Sequence, residues 1–360
     1  MTAEARLGTT AVALLTLSVV LSPMLFASGA PTDSARVLVV TTHTPIPLNS
    51  IAWTQITTGK STPSARMGAA MTYDAADGYV VLFGGYGLND TWTYRGGVWT
   101  NVTKATAPSA RYYPSMTYDP ATRSVILFGG ESWAASPTGC SGSASRWTLC
   151  HDTWSFSHGK WRILLTSRSP PAREGAAMAY LFGNGVVAMG GGFTLKGNIL
   201  SDMWGFGKGS WKPISTSGPG APFGGPTSSA YPFPMAFDGR AGAVIFYTIN
   251  SSTGAETWDY NSTGWHLIPQ PWHSSPLTDG GLGFDYDPSL RMVVLFGGAG
   301  NVGTWGYSGG HWANLSSGTS PPQGWYLPSM TYDAADSYTL VFGGGSPGNA
   351  GLFNQTWKLT

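Results

Sequence analysis

Charge is scarce in this chain. Only 10% of its 360 residues are Asp, Glu, Lys or Arg, and the formal net charge is +1. A surface that holds phosphates needs clustered Lys and Arg, so nucleic acid is excluded as a partner class. Past the N-terminus no long stretch carries apolar residues at helical spacing, which excludes a helical architecture. Neither a Ser-centred nucleophile motif nor a phosphate-binding loop occurs. The histidines are scattered and show no ligand spacing, so no metal and no cofactor is expected. Cysteine is almost absent. The two present, Cys140 and Cys150, share one polar insert. In an oxidising compartment they close a small loop; the alternative is a pair of free thiols.

The N-terminus points to such a compartment. Residues 11–28 read AVALLTLSVVLSPMLFAS without a charge, Arg6 precedes them, and Ser28-Gly29-Ala30 offers small residues for cleavage. The segment is read as a secretory signal. It is also close to the roughly 17–25 residues that span a bilayer, so an uncleaved anchor is the rival reading. Residues 1–30 are thus a signal peptide or membrane anchor, 31–50 a linker and 51–360 the folded part. Both readings place the protein outside the cytoplasm, secreted or at the cell surface, with the membrane involved only through that anchor. Six N-x-S/T triplets, at Asn89, Asn101, Asn250, Asn261, Asn314 and Asn354, are candidate glycosylation acceptors, and turn chemistry is their alternative explanation.

What the chain has in excess is Gly (50) and Trp (16), and both recur periodically. Trp92 in NDTWTY has counterparts at Trp154, Trp204, Trp258, Trp305 and Trp357. A second tryptophan follows each of the first five by seven residues: Trp99, Trp161, Trp211, Trp265 and Trp312. The sixth partner is missing at the C-terminus and reappears as Trp53 at the other end of the folded part. Upstream of each pair, ten residues separate an aspartate from a glycine pair, as from Asp74 to Gly84, Asp119 to Gly129, Asp287 to Gly297 and Asp333 to Gly343. The third copy reads as one residue shorter, with its pair at Gly190-Gly191. The fourth replaces the pair by Thr248-Ile249.

Each unit therefore holds four short strands. The second (Val80 to Phe83, for example) is apolar on both faces and must be covered on both. Stacking similar sheets face to face does this. A buried Trp covers 150–250 Å², roughly 4–6 kcal/mol at most, so the twelve repeat tryptophans are assigned to the core. Six sheets about an axis, the last completed by the N-terminal strand, close into an all-β six-bladed propeller.

These units, with an apolar run, Gly-Gly and a downstream aromatic and tryptophan, resemble kelch repeats and the galactose-oxidase-like central domains. The resemblance covers residues 51–360. It implies a binding platform. A minority of the family are enzymes, galactose-oxidase-like or sialic-acid-processing, and fold alone does not choose between these.

Loops joining strands one to two and three to four are short and constant. Loops joining strands two to three, and the connections between blades, vary in length and emerge on one face, which is the expected ligand surface. The four tryptophans outside the repeat, Trp133, Trp147, Trp272 and Trp325, all belong to this face, with Tyr112, Tyr113, Tyr231, His273 and Tyr326. Aromatic planes in a weakly charged cleft suit sugar rings or apolar peptide side chains; packing over loop bases is the alternative. Arg66, Arg111 and Arg173 recur at the entry to strand one in the first three blades. They bind a ligand carboxylate or, as repeat members, bond loop carbonyls. Of the carboxylates, Glu131, Glu174, Asp279 and Asp285 fall outside the repeat turns, and a glycosidase pair needs a separation that sequence does not set. The expected function is an exported binding module for an extracellular protein or glycan. A carbohydrate-active enzyme is the alternative.

Overall fold

The computed structural model describes residues 51–59, 61–133, 139–141, 147–214, 222–223, 233–250, 253–271, 275–276, 280–298, 303–316, 325–346 and 351–360. The proposed signal or anchor and the linker lie outside the described residues, as do Tyr231, Trp272, His273 and Asp279. The described chain contains six four-stranded antiparallel sheets. Blade 1 is Ala70–Asp74, Tyr79–Phe83, Thr91–Arg95 and Val98–Asn101. Blade 2 is Ser115–Asp119, Ser124–Phe128, Thr153–Ser157 and Lys160–Leu164, and blade 3 is Ala177–Leu181, Val186–Gly190, Met203–Gly207 and Ser210–Ile214. Blade 4 is Met235–Asp238, Ala243–Asn250, Gly254–Asn261 and Gly264–Ile268, and blade 5 is Leu282–Asp287, Met292–Gly297, Thr304–Ser308 and His311–Asn314. Blade 6 takes Ser329–Asp333, Tyr338–Phe342 and Thr356–Leu359 from the C-terminus and Trp53–Ile56 from the start of the folded part. Trp53 pairs with Leu359 and Gln55 with Trp357, so the first strand completes the last sheet. The innermost strands touch in sequence order, and the sixth returns to the first.

The second strands are as buried as their composition demands. Val80, Val81, Leu82 and Phe83 are fully covered, and so are their counterparts in the other blades. The cover comes from neighbouring blades. Tryptophans of the fourth strands lie across the gap, as where Trp161 of blade 2 meets Phe83 of blade 1 edge-on at 5.1 Å.

Each of these rings also carries a polar handle that must be satisfied once buried. Trp161 Nε1–H donates to Thr91 Oγ1 at 2.8 Å, the first residue of the preceding blade's third strand. The same bond joins Trp99 to Thr356 (3.0 Å), Trp211 to Thr153 (2.9 Å), Trp312 to Thr257 (2.8 Å) and Trp53 to Thr304 (2.7 Å). Blade 3 carries Met203 where the others carry threonine. Trp265 packs in the same cluster as Met203, and its indole N–H has no partner among the described residues.

A second series of bonds runs along the backbone near the axis, from blade 5 through blades 6, 1, 2 and 3 to blade 4. Tyr113 N–H donates to Gly68 C=O, Gly175 to Tyr113, Phe233 to Gly175, Leu327 to Gly281 and Gly68 to Leu327, at 2.9–3.2 Å. Gly68, Tyr113, Gly175, Gly281 and Leu327 all sit at positive φ, between 49° and 69°. Such geometry is costly at Tyr113 and Leu327, and the tertiary frame holds it.

The glycine pair has a steric purpose. Where the entry segment of the next blade crosses, a Cβ on Gly129 would lie 2.5 Å from Arg173 O, and one on Gly343 would lie 2.6 Å from Arg66 O. The second glycine then donates to that carbonyl, as Gly130 N–H does to Arg173 O at 2.8 Å. Register corrects the reading of blade 3. Met189 faces Trp204 as Leu82 faces Trp92, which makes Gly191-Gly192 the pair. It stands ten residues after Leu181, which replaces the aspartate, so the third copy is not shortened. Blade 4 lacks the pair, and nothing breaks its second strand. That strand continues to Asn250 and zips against Gly254 in an eight-residue hairpin.

Two predictions follow from burial. Thr153→Val keeps the shape of the side chain and strands the Trp211 N–H, so urea unfolding should show a loss of about 1–3 kcal/mol. An unchanged midpoint would mean that packing alone joins the blades. The turn aspartates Asp74 and Asp333 are pushed up to about 6, chiefly by burial and then by Asp77 and Asp336 respectively. A carboxyl raised in the folded state contributes stability that is complete below its ordinary value and is lost as pH rises through 6. Asp74→Asn with Asp333→Asn should therefore gain stability over the parent between about pH 4 and 7, on the order of 1–2 kcal/mol per site. A pH-independent difference would refute this.

Candidate functional site

The entry arginines belong to the frame. Arg66 and Arg111 each use all five N–H groups. Arg111 donates to Ser109 O (3.0 Å), Ser109 Oγ (3.0 Å), Gly129 O (2.8 Å) and both oxygens of Asp152 (2.8 and 3.0 Å). Arg66 repeats this with Ser64, Gly84 and Asp90. Arg173 grips Asp202 with both oxygens at 2.7 Å and bonds Gly191 O and Pro171 O. All three side chains are 0–1% exposed. The same aspartates accept the third-strand indole N–H, as Asp152 does from Trp154 at 2.6 Å. Burial alone would raise the Asp90 and Asp202 carboxyls; bonds from the arginine and the tryptophan outweigh it and hold both below the ordinary carboxylate value. Of the two roles open to these arginines, bonding loop carbonyls at the strand entry is the one the structure shows, and the alternative, a ligand carboxylate, is corrected: the guanidinium groups are sealed inside the blades.

Trp325 needs the same correction. It stands five residues before Met330, as Arg66 stands before Met71, so it fills the entry-arginine slot of blade 6. It is 0% exposed. It stacks on Phe353 at 5.5 Å and meets Phe296 and Trp357 edge-on. Gln355 stands where blades 1–3 have aspartate. Arg–Asp has become Trp–Gln, and the slot is structural in both forms.

Trp133 and Trp147 do assemble a platform. They are stacked at 5.0 Å and 22°, and Trp133 is 50% exposed. Tyr112 stands edge-on to both, at 5.8 and 5.9 Å, and Tyr86 is edge-on to Tyr112 at 5.8 Å. Three devices hold the platform. Cys140 and Cys150 are direct cross-strand partners and form a disulfide in the small sheet that also holds Glu131–Ser132 and Thr148–Cys150. Glu131 pairs by backbone with Tyr112 in both directions, at 2.7 and 2.9 Å. Gly87, at φ +71°, leaves room for the Trp133 indole, which a Cβ would approach to 2.6 Å. Tyr86 and Gly87 escaped sequence reasoning. Their signal is the slot after each glycine pair, which backbone pairing brings beside the slot after each entry arginine: Tyr86 with Met67, Glu131 with Tyr112, Phe193 with Glu174.

Tyr113 lies next to this platform, its ring over Gly68. Burial raises its hydroxyl far above the ordinary value, and Tyr326, Glu174, Tyr112 and Glu131 add to the shift. Burial likewise raises the Glu131 carboxyl. Tyr326 itself lies over Gly281 at the entry to blade 6, two blades round the ring from Tyr113. The one His/Cys/Asp/Glu cluster of metal-binding size among the described residues, Cys140, Cys150 and Asp152, is already committed to the disulfide and to Arg111.

The channel between the innermost strands widens at the opposite end into a cavity of about 540 Å³. Met71, Met116, Met178, Met235 and Met330 with Phe284 form one layer of its wall, and Tyr118, Tyr180, Phe237, Tyr286 and Tyr332 line the layer below. Pro120, Gly239 and Pro288 of the constant turns frame its opening. In sequence this layer is the slot three residues before the turn aspartate, or before Leu181 in blade 3, and it holds Met in every blade but the fifth.

A family model, the KLHDC2/KLHL20/DRC7 Kelch-repeats domain, matches residues 19–229. No curated protein matches the chain. Among solved structures, that of YjhT is similar, with a TM-score of 0.60 at 12% identity over 84% of this chain and 98% of that one, a likeness of fold alone. Ring closure, glycine pairs and paired tryptophans agree with these matches, and the chain belongs to the kelch-repeat family.

Proposed function

We propose that this kelch propeller is an exported binding module whose variable-loop face holds a glycan or an extracellular protein. The observation that carries the reading is the half-exposed Trp133, stacked on Trp147 and buttressed by Tyr112. A large aromatic left in water on a rigid, disulfide-pinned base supports stacking against a sugar ring or an apolar side chain, since little freedom remains to be lost on binding. Export accords with the disulfide and with the charge-free N-terminal segment, as signal or anchor.

A carbohydrate-active enzyme is the second reading. It draws on Glu131 and Glu174, both near enough to Tyr113 to raise its hydroxyl, and on the strained backbone of Tyr113 at φ +49°.

Glycan and peptide arrays probed with the full chain test the first reading. Trp133→Ala should weaken any ligand found by roughly tenfold or more while leaving the urea midpoint within about 0.5 kcal/mol. Retained affinity, or arrays without a ligand, would remove the proposal. Turnover of a bound glycan by the parent, abolished by Glu174→Gln, would favour the enzyme instead. Gly87→Ala adds a Cβ where Trp133 lies and should displace that indole. The near-ultraviolet circular dichroism of the stacked pair is expected to collapse, with ligand affinity falling in parallel.

A further inference from the structure

We propose a second site, independent of the variable-loop face: the cavity at the constant-turn end of the channel binds an organic ammonium ion, with Asp285 as its counter-charge.

Asp285 breaks the repeat. Its slot in the innermost strand holds Thr72, Thr117, Ala179, Ala236 and Thr331 in the other blades. It lines the cavity, and the other lining residues include no Lys, Arg, His, Asp or Glu. The carboxylate is fixed by three donors. Tyr286 N–H reaches Oδ1 at 2.8 Å, and Thr331 Oγ1–H and Tyr332 N–H reach Oδ2 at 2.8 and 2.9 Å. A carboxylate offers about four acceptor directions, so Oδ1 keeps one for an incoming N–H. The three bonds favour the ionised form, yet burial outweighs them and raises this carboxyl above its ordinary value, with Asp287 adding to the rise. Among the described residues no cationic side chain lines the cavity to pair with it. Arg240 and Arg291 act on Tyr286, and Arg240 donates to Ser308.

The remaining wall suits the body of such a cation. Tyr118, Tyr180, Phe237, Phe284, Tyr286 and Tyr332 offer aromatic faces or edges, and five methionine thioethers supply soft, polarisable contact. An anion meets a carboxylate there and no cation. A neutral ligand gains the apolar contact and forgoes the charge. About 540 Å³ lies in the range of small-molecule sites.

Titration calorimetry of the full chain at pH 7 tests this with three probes of one shape: benzylamine, benzyl alcohol and benzoate. Benzylamine should bind in the millimolar range or tighter, at least roughly tenfold better than benzyl alcohol, and benzoate should not bind. Asp285→Asn should weaken benzylamine by roughly tenfold or more and erase its advantage over the alcohol. Should that variant fail to fold, Thr117→Lys serves. It sets an ammonium group on the blade directly across the channel and should abolish benzylamine binding at an unchanged urea midpoint. Trp133→Ala should leave benzylamine binding intact, which separates this site from the variable-loop face. Equal affinity for amine and alcohol, unchanged binding in Asp285→Asn, or no benzylamine binding below about 10 mM would each overturn the proposal.

Discussion

The propeller depends on one bond repeated at five of its six blade interfaces: a fourth-strand indole N–H donating to a threonine hydroxyl in the third strand of the blade before it. Apolar burial brings the blades together but is indifferent to small rotations of one sheet on the next. A buried N–H is not indifferent, because losing its partner costs the full desolvation of that group. The bond therefore fixes the angle of each blade. Since the fourth strand of blade 6 comes from the N-terminal side of the fold, Trp53 to Thr304 carries the same constraint across the closure. Blade 3, with Met203, is the exception that shows the division of labour. There apolar packing remains, and the angular constraint on blade 4 falls to the cluster in which Phe223, Phe233 and Trp265 interlock.

The frame is not uniform beneath its two ends. In blades 1–3 each entry segment is riveted by an arginine whose charge is neutralised by an aspartate inside the blade. Burying such a pair does little for stability by itself, since desolvation offsets most of the attraction, but removing one partner is costly. What the rivet supplies is position. It ties the entry segment to the loop after the glycine pair, and those two pieces of backbone carry Tyr112, Glu131, Trp133 and Tyr86. The aromatic platform thus stands over the riveted blades. Blade 6 reaches the same closure with Trp325 stacked among Phe296, Phe353 and Trp357, a solution that needs no buried charge.

Fold and closure were legible because they rest on spacings that recur. Seven residues between tryptophans and ten between aspartate and glycine are set by strand length and turn geometry, which vary little from copy to copy. The one miscounted spacing, in blade 3, came from three consecutive glycines, where register against Trp204 decides and sequence offers no mark. The site was less legible. Trp133 and Trp147 were recognisable by standing outside the repeat, and Trp325 was misassigned by the same criterion, because its slot in the repeat is filled elsewhere by arginine. Slot identity is a matter of backbone position, and a change of residue type hides it. The arginines were open to two readings in sequence. Their recurrence marks them as part of the frame, their place on one side of the ring also fits a ligand clamp, and partners some 24 to 41 residues away in sequence decide for the frame, since they neutralise the charge.

Repetition gives a criterion for sorting the rest. A residue shared by the blades is accounted for by the frame that the blades share, and a residue that departs from its slot needs a local cause. Leu181 for aspartate has one: its turn closes through Gly185 N–H and Asn184 N–H to the Leu181 carbonyl, without a side-chain acceptor. Thr248 for glycine has one in the longer hairpin of blade 4. Asp285 has half of one. Its bonds to Thr331 and Tyr332 tie blade 5 to blade 6, a task that threonine or backbone could perform at no cost in buried charge. The neighbouring blades manage it in that way: Ser115 Oγ–H donates to Ala176 O and Ser329 Oγ–H to Ala69 O, with neutral groups throughout. An ionisable group placed among methionines and aromatic rings, where a hydroxyl would serve the frame, is the departure that framework physics leaves over, and it lines the channel.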